Sequence, residues 1–141
     1  MLSQTGEYAL KAVLYLAEHG DGRPVRVAVI ARALGVPQNY LSKTLHALVG
    51  HSILTSVRGP AGGFRLAREP RRLTLLAVIE PFDAIGGRRR CLLGRPQCTD
   101  RHACAVHDAW KRTAGQLALF FRTTTVADLT VPATTPPRRP A

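Results

Sequence analysis

Three cysteines, Cys91, Cys98 and Cys104, fall within fourteen residues, and His107 follows the last with two residues between. Six residues separate the first pair and five the second. Thiolates are soft ligands suited to iron–sulfur clusters or zinc, and an imidazole can complete either set. Arg88, Arg89, Arg90, Arg95 and Arg101 lie around the thiols. Their field favours thiolate over thiol and offsets the charge of an anionic cluster. An odd number of cysteines does not suggest a disulfide framework, and clustering of this kind in a reducing compartment points to metal or redox chemistry. A small thiol redox enzyme has little support, because there is no Cys-x-x-Cys pair and no base-and-orienter signature. Cluster ligation, a structural zinc and idle thiols stay open on these residues, and no enzymatic activity is expected. His102 is a weaker ligand candidate.

The second chemistry is electrostatic. The 141-residue chain carries 20 Lys+Arg against 9 Asp+Glu, a formal net charge of +11. Arg23 to Arg72 holds nine basic residues and one acid, Glu69, a net +8. An excess of this size attracts a polyanion, most often nucleic acid. An arginine-rich solvated surface would have the same composition, so the elements that carry the charge must decide.

Those elements read in order along the chain. Ser3 or Thr5 can cap a first helix whose apolar positions, Tyr8, Ala9, Ala12, Val13, Leu16 and Ala17, recur at helical spacing. A break at Gly20–Pro24 leads to a short helix, roughly Val27 to Leu34, with Val27, Ile30 and Leu34 inward. Gly35 ends it, and Pro37 suits the first position of a third helix running to about Val49. That helix puts Leu41, Leu45 and Leu48 inside and Gln38, Asn39, Ser42, Lys43 and His46 outside. Ile53–Val57 and Phe64–Ala67 read as two strands around the turn residues Arg58–Gly63. Thr74 can cap a further helix towards Ile85, with Pro81 ending or kinking it near Glu80. Gly86 to His102 reads as a loop. A longer helix from about Ala103 carries an apolar stripe of Val106, Trp110, Leu117, Phe120 and Phe121. Thr125 and Asp128 have capping-box spacing.

The expected fold class is mainly α with a small β-hairpin: a winged helix-turn-helix followed by a long C-terminal dimerisation helix. The expected organisation is a DNA-binding domain over 1–72, a cluster-binding loop and dimerisation helices over 73–130, and a disordered tail over 131–141. A second helix with an apolar inner face and small polar or basic outer residues can enter the major groove. Asn and Gln can pair with adenine and Lys can contact guanine or phosphate, which assigns such roles to Gln38, Asn39, Ser42 and Lys43. Arg58 at the wing tip can enter a narrow minor groove, and the neighbouring Gly59 permits close backbone approach. A solvated helix face and a generic turn would look similar singly. The hairpin and the positive field together favour DNA.

Three strings, Tyr8–Ala17 (YALKAVLYLA), Tyr40–Leu45 (YLSKTL) and Ser56–Ala67 (SVRGPAGGFRLA), resemble the Rrf-type winged-helix regulators, the IscR/NsrR-like family. The resemblance spans about Met1 to Leu129, and the wing string is its most specific part. It implies a sequence-specific transcriptional regulator, acting as a repressor, that binds a double-stranded operator as a homodimer. Tyr40 joins the expected DNA-binding residues. The dimer interface is expected on Val106, Trp110, Leu117 and Phe120. The resemblance also implies that Cys91, Cys98 and Cys104 ligate an iron–sulfur cluster, 2Fe–2S or 4Fe–4S, that senses iron, nitric oxide or redox state. His107 is the preferred fourth ligand, and Glu7 from the partner chain is the alternative. The first cysteine spacing is one residue longer than in IscR-like and NsrR-like members. The opening residues lack the layout of a secretory signal and no apolar run is long enough to span a membrane, so the expected location is the cytosol.

Overall fold

The computed structural model describes residues 2–85 and 91–130. The expected tail over 131–141 and the arginines Arg88, Arg89 and Arg90 lie outside the described residues.

Ser3, not Thr5, starts the first helix: its Oγ accepts the Gly6 N–H at 3.0 Å. Helix α1 (Gln4–His19) buries Ala9, Ala12, Val13 and Leu16 on one face. Helix α2 (Val27–Leu34) has no side-chain cap at its start, and it ends on Gly35 at φ 66°. A glycine accepts that left-handed conformation without steric cost, which turns the chain sharply. Ile30 and Ala31 are the buried residues of α2, while Val27 and Leu34 pack partly buried against the core.

Helix α3 (Gln38–Gly50) starts one residue later than the sequence suggests. Pro37 is its N-cap, with extended backbone at ψ 128°, and its carbonyl already accepts the Leu41 N–H at 3.0 Å. Leu41, Leu45 and Leu48 are each 0% exposed. Full burial of a leucine stabilises by roughly 1.5–3 kcal/mol, so this inner face anchors α3 and leaves its outer face free to be polar.

Strands β1 (Leu54–Val57) and β2 (Gly63–Leu66) pair antiparallel, with Leu54 opposite Leu66 and Val57 opposite Gly63. Ile53 lies just outside the strand and is buried. Its N–H bonds the Leu48 carbonyl at the end of α3 and its carbonyl accepts the Ala67 N–H. The hairpin also has a third contributor that the sequence reading missed. Val25, before α2, forms a bridge with Phe64, through two backbone hydrogen bonds of 2.8 and 2.9 Å. Gly63 makes this possible: a Cβ there would lie 2.3 Å from the Val25 carbonyl oxygen, and its φ is +148°.

After a 3-10 turn at Pro70–Arg72, α4 (Leu75–Ile79) is capped by Thr74 and stops at Glu80, the early end expected before Pro81. Helix α5 (His107–Thr123) begins later than the expected Ala103. A 3-10 turn occupies Asp100–His102 and leaves Ala103 extended at ψ 136°, which interrupts helical backbone before His107. Thr125 and Asp128 form the anticipated reciprocal cap of α6 (Val126–Thr130): Asp128 accepts from Thr125 N at 2.8 Å and donates its own N–H to Thr125 Oγ1 at 3.3 Å. The C-terminal helices return to the first. Leu73, Leu75, Val78, Ile79, Phe121 and Val126 share one core with Ala9, Val13 and Leu45.

Candidate nucleic-acid interface and cysteine loop

The outer face of α3 is polar because its inner face is committed to the core. Gln38, Asn39, Tyr40, Lys43 and His46 are exposed and Ser42 is half-buried. Tyr40 is less free than its sequence position suggests. Its hydroxyl is hydrogen-bonded to Thr5 Oγ1, and its ring stands edge-on to Tyr8 at 5.6 Å. The start of the third helix is therefore tied to the start of the first.

The wing is held at two points. Phe64, next to the turn, is 6% exposed and meets the His46 ring edge-on at 5.2 Å, so the hairpin packs on α3. Near its tip, the Arg26 guanidinium donates to the Pro60 carbonyl. Arg58 and Gly59 sit exposed at the start of the turn, just ahead of Pro60. Lys43, Arg58 and Arg65 are exposed cations on the helix and hairpin. A charged hairpin beside a polar helix gives the geometry for contacts to phosphates in one groove and base edges in another.

The cysteine loop joins the fold at two roots. Asp83, shortly before the loop, accepts hydrogen bonds from Ser3 N at 3.1 and 3.2 Å and from Ser3 Oγ at 2.9 Å. His107, the first residue of α5, is 3% exposed. Between these roots Cys91, Cys98 and Cys104 are all half-buried cysteines, and no disulfide joins them. The backbone N–H groups of Arg95 and Leu93 point at the Cys91 sulfur, and the Cys98 thiol and the Arg95 charge add to them. Together they hold the Cys91 thiol below its ordinary pKa; donors and positive charge stabilise a thiolate.

Cys98 Sγ lies 3.5 Å from His107 Nδ1. On the far side of the ring, His107 Nε2 is 2.8 Å from Asp100 Oδ1, and Lys111 Nζ is 3.2 Å from both oxygens of Asp100. His107 and Lys111 hold the Asp100 carboxyl below the usual carboxylate range. The structure thus brings Cys91, Cys98 and His107 into one chain of contacts. Cys104 touches that chain through its backbone, its carbonyl accepting the His107 N–H at 3.0 Å. Among the described residues, no three His, Cys, Asp or Glu side chains converge on one metal position. As a donor set, three thiols and an imidazole fit a thiolate-ligated metal or iron–sulfur group.

Glu7 stands apart, exposed and paired with Lys11 at 2.6 Å one helical turn along. That pairing lowers its pKa. His102 is exposed in the 3-10 turn. In the apolar stripe, Val106 is the N-cap of α5 and lies outside the helix proper. Val106 and Phe120 are 40% and 50% exposed, Trp110 and Leu117 are half-buried, and Phe121 belongs to the core. The sequence reading missed Asp100 and Lys111. Asp100 reaches His107 across a 3-10 turn, a juxtaposition with no periodic signature.

Two short helices joined by a glycine turn, with a hairpin packed on the second, define a winged helix-turn-helix protein. Residues 2–132 match the Rrf2 family, described as iron-dependent transcriptional regulators. A protein of Aquifex aeolicus described as an HTH-type transcriptional regulator is 38% identical over 131 residues, covering 92% of this chain and 90% of its own. The HTH-type transcriptional regulator IscR of Sodalis glossinidius is 32% identical over 128 residues, covering 91% and 77%. Among solved structures, T. potens IscR superposes with a TM-score of 0.73 at 25% identity, covering 92% of this chain and 85% of that one. CymR, the global cysteine regulator of B. subtilis, shares the fold with a TM-score of 0.77 at 23% identity, covering 92% and 95%. The chain belongs to the Rrf2 family of transcriptional regulators. None of its described helices is long and apolar enough to cross a membrane.

Proposed function

We propose that the protein is a cytosolic, homodimeric repressor, without enzymatic activity, that senses iron, nitric oxide or redox state through an iron–sulfur cluster. The ligands are Cys91, Cys98, Cys104 and His107. The observation that carries this reading is the contact of Cys98 Sγ with His107 Nδ1 at 3.5 Å, with the Cys91 thiol hydrogen-bonded to Cys98. Three of the four donors are therefore neighbours. His107 is preferred over Glu7 because its ring already faces a thiol, whereas Glu7 is engaged by Lys11.

Each residue set has its own task. Gln38, Asn39, Ser42 and Lys43 present hydrogen-bonding groups to base edges and phosphates in the major groove. Tyr40 braces the start of α3 against Thr5 and Tyr8 and offers its exposed ring edge to the DNA backbone. Arg58 enters the minor groove, with Gly59 leaving room for the backbone to approach. Val106, Trp110, Leu117 and Phe120 bury their apolar surface against a second copy.

The stretch leading into the cysteine loop is joined to the DNA-reading helix by a run of contacts. Asp83 holds Ser3, α1 continues to Thr5 and Tyr8, and both touch Tyr40 on α3. When bound, the cluster supplies a centre whose charge and integrity respond to iron supply, oxidants or nitric oxide. Ligation at Cys91, Cys98, Cys104 and His107 would bias α1 and α3 through this path, the two-state element that ligand control requires.

The test is anaerobic purification of the full chain, with visible absorbance and iron, sulfide and zinc analysis on one sample, followed by operator binding. Brown protein carrying iron and sulfide, with DNA affinity that changes on cluster loss, is the expected result. Zinc alone, or no metal after attempted reconstitution, refutes the sensor and leaves a winged-helix regulator with a structural metal or idle thiols.

A further inference from the structure

We infer that Asp100 is a positioning residue for His107: it holds the Nε2–H, so that Nδ1 is the nitrogen His107 offers beside Cys98. The functional consequence rests on the reading of His107 as a ligand; the hydrogen-bond assignment does not.

The assignment follows from what each partner can do. A carboxylate has no proton to give, so across 2.8 Å it is Nε2 that donates to Asp100 Oδ1. In the neutral ring this leaves the lone pair on Nδ1, and Nδ1 faces Cys98 Sγ at 3.5 Å. Turning the ring over would set a carbon against both partners. A ring only 3% exposed would then lose two hydrogen bonds with little water to replace them, which is costly. Ring orientation and proton position are therefore fixed together.

Asp100 is itself held. It is largely solvent-exposed and lies on a three-residue 3-10 turn, a weak support alone. Lys111 supplies the rest. It sits four residues after His107 on α5, so both project from one face of the helix. Its Nζ is 3.2 Å from both carboxylate oxygens. An isolated exposed ion pair stabilises little. Here a single carboxylate bridges two side chains of one rigid helix, so its main effect is orientation. Metal-bound histidines commonly donate their other N–H to a carboxylate, and loss of such a partner typically costs 10–100-fold in metal affinity.

The test begins with the reduced, metal-free full chain carrying 15N-histidine, with the His107 signals assigned by their absence in His107→Gln. Nuclear magnetic resonance is expected to show His107 in the Nε2–H form, with that proton exchanging slowly. Asp100→Ala should speed the exchange and admit the Nδ1–H form, while Asp100→Asn, which keeps an acceptor oxygen, should restore the wild-type pattern. A wild-type ring carrying its proton on Nδ1, or an Asp100→Ala chain with unchanged tautomer and exchange, overturns the inference.

A second arm uses chain loaded with iron and sulfide, its histidines labelled at Nδ1 alone or at Nε2 alone. Pulsed electron paramagnetic resonance of the reduced sample should show strong coupling to Nδ1, and retention of iron against a chelator should fall roughly ten-fold or more in Asp100→Ala. Coupling that follows the Nε2 label contradicts the inference. If the wild-type chain retains no iron, the cluster reading fails, and the metal-free spectra alone decide the role of Asp100.

Discussion

Ser3 and Asp83, eighty residues apart, close one end of α1 together: Ser3 Oγ accepts the Gly6 N–H and donates its own proton to Asp83 at 2.9 Å, while Asp83 also accepts the Ser3 backbone N–H. Capping and tertiary docking thus share one serine. Asp83→Ala should lower stability by about 1–2 kcal/mol through lost hydrogen bonds at a half-buried site. Urea unfolding checks this. A midpoint equal to wild type would show that the link contributes nothing.

The wing makes a separable prediction. Arg58 is exposed, with its backbone in a turn held by Arg26 and Phe64, so its side chain is dispensable for folding. Arg58→Ala should weaken operator binding by about 1–3 kcal/mol and reduce the salt slope by about one. Dimerisation should be untouched. Fluorescence anisotropy across a salt series reads both quantities, and unchanged affinity would remove Arg58 from the interface.

Cys98 stands between Cys91 and His107, so its loss breaks the donor chain at the centre. Cys98→Ala should abolish iron and sulfide binding while leaving the helical circular dichroism spectrum and the melting of the winged domain close to wild type. A visible spectrum retained by the variant would contradict the ligand assignment.

Adjacent phenylalanines on α5 should behave differently. Phe121 is 4% exposed and packs in the core, whereas Phe120 is 50% exposed. Phe120→Asp should leave the monomer folded and shift sedimentation towards the monomer, because an unpaired charge at an apolar interface costs several kcal/mol. Phe121→Asp should unfold the chain. A Phe120→Asp protein that stays dimeric would displace the interface from this stripe.

The cap of α6 gives a pH dependence. The Thr125 N–H and hydroxyl hold the Asp128 carboxyl below its ordinary pKa. Because the folded value is depressed, the unfolded chain binds more protons in the acid range, so stability rises with pH there. The contribution is present above the unfolded value of about 3.9 and is lost as pH falls through the folded one. The group is exposed, so the effect is small. Asp128→Asn should flatten the acid limb of a stability–pH curve slightly, and parallel curves for variant and wild type would argue against the cap.

Much of this fold was legible in one sequence because local rules decide it. The spacing of Leu41, Leu45 and Leu48 requires a helix with one apolar face. Gly35 can end α2 because it tolerates the left-handed region. The glycine-rich string after Arg58 cannot continue a helix and returns the chain as a hairpin. The boundary differences at Pro37, Ile53 and Ala103 all fall at element ends, where side-chain periodicity no longer fixes the backbone state.

The sequence by itself determined the order of helices and strands, the polar face of α3, the basic charge of the winged region and the presence of three thiols and an imidazole on one stretch of chain. Those follow from side-chain type and from periods of a few residues. Only the tertiary structure decided which groups meet. It joined Val25 to Phe64, Thr5 to Tyr40 and Ser3 to Asp83, placed Cys98 against His107, and set Asp100 and Lys111 behind that ring. No sequence period encodes such pairs. They form because burial of one shared core brings distant segments together, and polar groups caught at its margins must then find partners.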